Sequence, residues 1–249
     1  MAADLNPEAP VALVTGGTRN IGRAIALRLG ADGYRVGIAY RSNADAAAAT
    51  LAELGGVAQD SAAWAADLTD DAAAAVLVAK AVERWGRLDV LVNAVGPMIV
   101  AAASDTDPAA FRAMVDGNLL SAYGVTRHAL AHLRAAGGNV VMLGSLNAEL
   151  ARGASDHAAY NMSKTALIVW ARSLARSEGP RGVRVNVVCP GLLDTPDTPD
   201  DVRSHMPARV PLGRLGRPEE VAEAVAFLAS DRAAYVSGAV LNVSGGLWA

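Results

Sequence analysis

Short apolar runs rich in β-branched residues alternate with longer Ala-rich stretches along the chain. The runs fall at 11–15, 35–40, 62–65, 90–93, 139–143, 183–188 and 239–243. Between them the spacing predicts helices over 21–32, 44–54, 70–85, 108–135, 158–178 and 218–229. Strands apolar at successive positions are covered on both faces, and a helix after each is the pattern of a parallel sheet. Right-handed crossovers then make a single-domain α/β fold, a doubly wound parallel sheet with helices on both faces. Ala is the best helix former, so the Ala-rich stretches read as close-packed helices. Residues 1–9 read as a flexible arm before one catalytic domain at 10–249. One irregular segment, 190–216, holds five prolines between two patterned regions and suits a lid.

Composition narrows the function classes. With 52% hydrophobic and 19% charged residues, disorder is excluded. Aromatics are only 4%, so the core is built from Ala, Val, Leu and Ile. A net charge of −3 gives no general attraction to nucleic acid or an anionic membrane. No apolar run reaches the length of a membrane span. The first ten residues carry Asp4 and Glu8 without a basic region, unlike a secretory signal. Cys189 is the one cysteine, so no intramolecular disulfide or cysteine-based zinc site can form; this fits a reducing cytosol and a cytoplasmic protein.

The first predicted strand runs into Thr15-Gly16-Gly17-Thr18-Arg19-Asn20-Ile21-Gly22, which opens the first helix. Gly16 permits a tight turn and Gly22 lets the helix pack close to the strand, so free N–H groups of the helix face a pyrophosphate. This Rossmann-like turn resembles the T-G-x-x-x-G-x-G turn of the short-chain dehydrogenase/reductase family. Asn20 stands where that family usually has its middle Gly; Asn tolerates the left-handed conformation better than most residues. An acidic residue ending the second strand normally holds the ribose hydroxyls of NAD. Here the strand ends Tyr40-Arg41, with no carboxylate. Arg41 offers a planar fork for a 2′-phosphate and Arg19 could reach the same group, so NADP(H) is expected over NAD(H). The resemblance implies that Asp67, beside Leu68, binds the adenine amino group. It also aligns Asn93-Ala94-Val95-Gly96 with the family's Asn-Asn-Ala-Gly turn. Asn93 there has two open roles, cofactor contact and support of the central sheet, while Gly96 lets backbone approach the cofactor.

Tyr160 and Lys164 stand four apart in a helical stretch and share one face. A phenol titrates near 10, and an adjacent ammonium favours the phenolate, which would ready Tyr160 for acid–base work. Ser145 ends the fifth strand, at the edge where ligands bind such sheets, and its hydroxyl can donate to a carbonyl. The loop between them contains Asn147, Arg152 and His157, candidates for the substrate entrance. The resemblance completes the set. It implies that Asn118 bends its helix and binds a proton-relay water, and that Lys164 holds the nicotinamide ribose. It also implies that Pro190, Gly191 and Thr195 hold the nicotinamide amide. The sequence is most similar to the 3-oxoacyl-acyl-carrier-protein-reductase-like branch, over about residue 10 to the end.

That resemblance implies an NADPH-dependent reduction of a ketone, a 3-oxoacyl thioester or similar hydrophobic carbonyl, to a secondary alcohol. It also implies a homotetramer built on the 108–135 and 158–178 helices. A polyketide, steroid or sugar ketone is an alternative substrate, and Leu192, Leu193, Met206 and Val210 make the lid apolar enough for any of these. An acyl carrier protein as partner would need a basic entrance, for which Arg152, Arg203 and Arg209 are the candidates. An NADP-binding regulatory protein with little chemistry is the reading from another class. His128 and His132 have metal-ligand spacing but no third ligand. Ser145 with His157 lacks the G-x-S-x-G elbow of a hydrolase. Cys189 ends an apolar strand and reads as core. Trp248 has two open roles, packing anchor or part of a neighbouring subunit's pocket.

Overall fold

The computed structural model describes residues 8–58 and 60–247. The arm expected at 1–9 lies mostly outside the described residues, and Trp248 lies wholly outside them. The strands are β1 Val11–Thr15, β2 Arg35–Tyr40, β3 Ser61–Ala65, β4 Val90–Asn93, β5 Asn139–Leu143, β6 Arg184–Pro190 and β7 Val240–Val243. The helices are α1 Asn20–Ala31, α2 Ala44–Leu54, α3 Asp71–Trp85, α4 Pro108–Val115, α5 Ser121–Ala136, α6 Ala158–Glu178, α7 Asp200–His205 and α8 Pro218–Ala229. All seven strands pair in parallel in the order β3-β2-β1-β4-β5-β6-β7. The order reverses between β1 and β4, which opens a crevice at their carboxyl ends.

Alternation along the central strands sends side chains into two cores. Val140 and Met142 of β5 pack with Val125, Ala129 and Leu133 of α5 and with Leu167 and Ile168 of α6. Val141 points to the other face, into a core with Ile25 and Leu29 of α1 and Val221 and Val225 of α8. The long Ala-rich helices are therefore the two covers of the sheet, as the pattern predicts.

Most boundaries agree with the sequence reading within a residue or two; two segments differ in kind. The helix expected over 108–135 is interrupted. Between α4 and α5, Asp116–Leu120 forms a π turn, and the Ser121 N–H reaches back to the Asp116 carbonyl. Gly117 makes this possible, because a side chain there would strike Pro97. The segment 190–216 is less irregular than expected. It contains α7, a one-turn helix at Pro207–Arg209 and a bridge between Leu193 and Gly216.

Candidate active site

The turn after β1 is shaped by its backbone. Gly16 takes φ +66, and a Cβ on Gly22 would stand 2.1 Å from the Gly16 carbonyl oxygen. Helix α1 therefore presses directly on the turn, as only glycine allows. Asn20 takes φ +45, so the residue in the family's glycine position does adopt the left-handed conformation. No side chain caps α1 and its first turn has no acidic residue, whereas Asn43, Asp70 and Asp107 cap α2, α3 and α4. Its leading N–H groups thus lack a side-chain acceptor, the arrangement that favours an anion. Thr18 and Ile21 flank these donors in the chain. Thr15 Oγ1 ties the turn to its neighbour, donating to the Val92 carbonyl at 3.3 Å and accepting from Ala94 N–H at 3.1 Å.

Arg19 and Arg41 are exposed, and their guanidinium groups form no hydrogen bond or ion pair among the described residues. Asp67 is exposed, with Oδ1 accepting from the N–H and hydroxyl of Thr69. Those bonds hold its carboxyl below the usual range, and the charge of Arg41 adds to the effect. Leu68 beside it is buried. Asn93 is buried too, and its Nδ2 donates to Thr126 Oγ1 at 2.9 Å, tying β4 to α5. That bond favours the support role for Asn93.

Gly96 brings the reactive groups together. A Cβ there would lie 2.9 Å from Lys164 Nζ and 3.0 Å from Asn118 Oδ1. Asn118 is wholly buried; its Nδ2 donates to the carbonyls of Pro97 at 2.9 Å and Met114 at 3.0 Å, and its Oδ1 has no protein donor. The π turn rotates this amide onto the loop after β4. Lys164 is 2% exposed, and its ammonium donates to the Leu143 carbonyl at 2.8 Å. Burial holds it down at about 8.

Ser145, which follows β5, has its hydroxyl near enough to the Tyr160 phenol to pull its pKa down. Lys164 Nζ stands 5.8 Å from the centre of the Tyr160 ring. The expectation that Lys164 makes Tyr160 more acidic is corrected here. Burial pushes the phenol up and the Ser145 hydroxyl pulls it back, while Lys164 is not among the causes. Desolvation outweighs the lowering effect of Ser145.

The loops around this cluster are braced. Ala101 N–H donates to the Asp156 carbonyl at 2.7 Å and Ala103 N–H to the Ser155 carbonyl at 2.9 Å. Asn147 and Ala151 between Ser145 and Tyr160 both take positive φ, +63 and +50. Arg152 is exposed, and His157 bonds Asp156 at 2.5 Å. Cys189 is fully buried against Gly144, and burial pushes its thiol up to about 12, so it is core as read. His128 pairs with Asp71, and no cluster of three metal-binding side chains occurs among the described residues. On the lid side, Gly191 packs on Ser244, and Thr195 shares bonds with Thr198. Arg203, expected at the entrance, is engaged by Asp194 and Asp200 instead. A concavity of about 1120 Å³ opens at the opposite, amino-terminal edge of the sheet, lined by Pro10, Asp89 and Asn139 among others. It shares no residue with this cluster, so volume does not locate the chemistry.

Comparison with known proteins decides the family. The family model described as Enoyl-(Acyl carrier protein) reductase matches residues 16–248. The chain belongs to the short-chain dehydrogenase/reductase family. It is 41% identical to cis-4-hydroxycyclohexanecarboxylate dehydrogenase of Sinomonas cyclohexanicum, covering 95% of each protein. It is 40% identical to the granaticin polyketide synthase putative ketoacyl reductase 2 of Streptomyces violaceoruber, over 99% of this chain and 98% of that one. A variant of actinorhodin polyketide ketoreductase solved with NADPH superposes with a TM-score of 0.91 at 33% identity, covering 98% of this chain and 99% of that one. As a short-chain dehydrogenase/reductase the protein is an oxidoreductase that interconverts CH–OH and C=O with a nicotinamide cofactor. No helix among the described residues is long and apolar enough to cross a membrane.

Proposed function

We propose that the protein reduces a hydrophobic ketone to a secondary alcohol with NADPH, the ketone being a 3-oxoacyl thioester or a carbonyl of similar character. One observation carries the reading. The Ser145 hydroxyl lies near enough to the Tyr160 phenol, beyond the carboxyl end of β5, to favour its ionised form, and the buried Lys164 ammonium stands beside the phenol ring. Two hydroxyls meeting at one point can receive one carbonyl oxygen.

The turn fits a dinucleotide: Gly22 admits no side chain, and α1 has no cap of its own. Gly16, Thr18, Arg19, Asn20, Ile21 and Gly22 would hold the pyrophosphate, and Arg41 with Arg19 the 2′-phosphate. Asp67 and Leu68 would flank the adenine, and Lys164 would hold the nicotinamide ribose. Pro190, Gly191 and Thr195 would hold the amide. When bound, the reduced nicotinamide supplies the hydride. Ser145 orients and polarises the carbonyl oxygen. Tyr160 donates the proton to that oxygen, and its raised pKa keeps the phenol stocked with a proton at neutral pH. Asn118 Oδ1, buried without a donor among the described residues, suits a relay water.

The lid at 190–216 would close over the substrate. Arg203 is already committed to Asp194, Asp200 and the Thr195 carbonyl, which favours a free substrate over an acidic carrier protein. Exposed Leu120, Tyr123, Met162 and Val169 on and beside α5 and α6 support the tetramer expected there. The test is Tyr160→Phe. It should fold and bind NADPH while ketone reduction across a panel of β-ketoesters, acyl thioesters and cyclic ketones falls 10²- to 10⁴-fold. Reduction at the wild-type rate would overturn the assignment.

A further inference from the structure

We propose that Asn20 and Asp197 form a clasp that fastens the lid across the dinucleotide crevice and sets the rate at which the cofactor leaves. The inference rests on the dinucleotide reading above. Asn20 stands at φ +45, a conformation that glycine adopts most cheaply. Asparagine tolerates it and adds an amide. That amide reaches a partner 177 positions away, Nδ2 donating to Asp197 Oδ2 at 2.7 Å.

Asp197 does not sit on a loose tip. The Thr198 N–H donates to the Thr195 carbonyl at 3.0 Å. Thr198 Oγ1 accepts from Thr195 N–H at 2.9 Å and donates to the Leu193 carbonyl at 2.9 Å. Arg203 holds both Asp194 Oδ1 at 2.8 Å and the Thr195 carbonyl at 2.9 Å. The segment from Leu193 to Arg203 is one hydrogen-bonded unit, so a hold on Asp197 is a hold on Thr195. The clasp thereby links the pyrophosphate turn to the nicotinamide end. Among the described residues the Asp197 carboxylate takes its bond from the Asn20 side chain and not from the backbone donors of α1.

The pair is a positioning device, and release kinetics test it. NADPH is preloaded on the full-length protein and chased with excess NADP⁺ in a stopped-flow fluorimeter. Asn20→Gly and Asp197→Ala should each release NADPH about five-fold faster, the worth of one exposed charge-assisted hydrogen bond. The double variant should release no faster than either single. Asp197→Asn keeps an acceptor for the Asn20 amide and should restore release to within two-fold of wild type. Single variants at the wild-type rate, effects that multiply in the double, or Asp197→Asn as fast as Asp197→Ala would each overturn the clasp. A wild-type protein that does not bind NADPH in the initial titration would overturn the dinucleotide reading and the clasp together.

Discussion

Replacing Lys164 with methionine should separate what the lysine does for catalysis from what it costs the fold. The side chain is 2% exposed, and burial lowers its ammonium from 10.5 to about 8. At about 1.4 kcal/mol for each pH unit, holding the charge inside costs roughly 3 kcal/mol at neutral pH. Between pH 8 and 10.5 the folded chain binds fewer protons here than the unfolded chain, so stability rises with pH across that window. Below pH 8 the penalty is present in full. The methionine variant lacks this rise. It also loses the bond to the Leu143 carbonyl, worth about 1.5–3 kcal/mol, so the two proteins should be closer in stability at pH 7 than the penalty alone suggests. Urea unfolding of both from pH 7 to 10.5 isolates the slope, because every other titrating group is shared. Wild type should gain roughly 3 kcal/mol on the variant over that range, while ketone reduction by the variant falls at least about 100-fold. A difference in stability that stays flat with pH would refute the buried-ammonium argument.

The remaining predictions test other parts of the site. Arg41→Ala should raise KM for NADPH by about ten-fold or more and leave KM for NADH unchanged, since only the former has a 2′-phosphate for the guanidinium; equal changes for both cofactors would count against the assignment. Ala151→Gly should stabilise the protein by about 0.5–1 kcal/mol in urea unfolding, because relief of a left-handed alanine exceeds the added entropy of the unfolded chain. An unchanged midpoint would mean the loop relaxes freely.

The central strands of the sheet were legible because they are buried on both faces. Runs such as Val140-Val141-Met142 declare themselves without any partner being known. The order of Ser145, Tyr160 and Lys164 was legible for a similar reason, since a helical spacing and a strand end are local facts. The electrostatics were not. Spacing put an ammonium near a phenol, but the outcome depended on desolvation of the buried phenol. The π turn was hidden as well. It packs Gly117 against Pro97, on a loop twenty residues earlier in the chain, where a side chain would not fit. Asp197 was missed altogether, because nothing local distinguishes it from Asp200 or Asp201 and its partner Asn20 lies 177 positions away in the chain. An asparagine in a glycine position was the one available hint.

The π turn also has a consequence for chain length. Each residue of an α-helix advances the side chains by about 100°. The widened loop at Asp116–Leu120 acts as a phase shifter: Met114 ahead of it and Asn118 within it are turned toward the loop after β4, and downstream Val125, Ala129 and Leu133 face the sheet. Excising one residue there would restore an unbroken hydrogen-bond ladder and a better isolated helix. It would also swing one half by more than a quarter turn against the other. Either the amide or the apolar stripe would then face solvent, so this stretch cannot be shortened without unseating one of them.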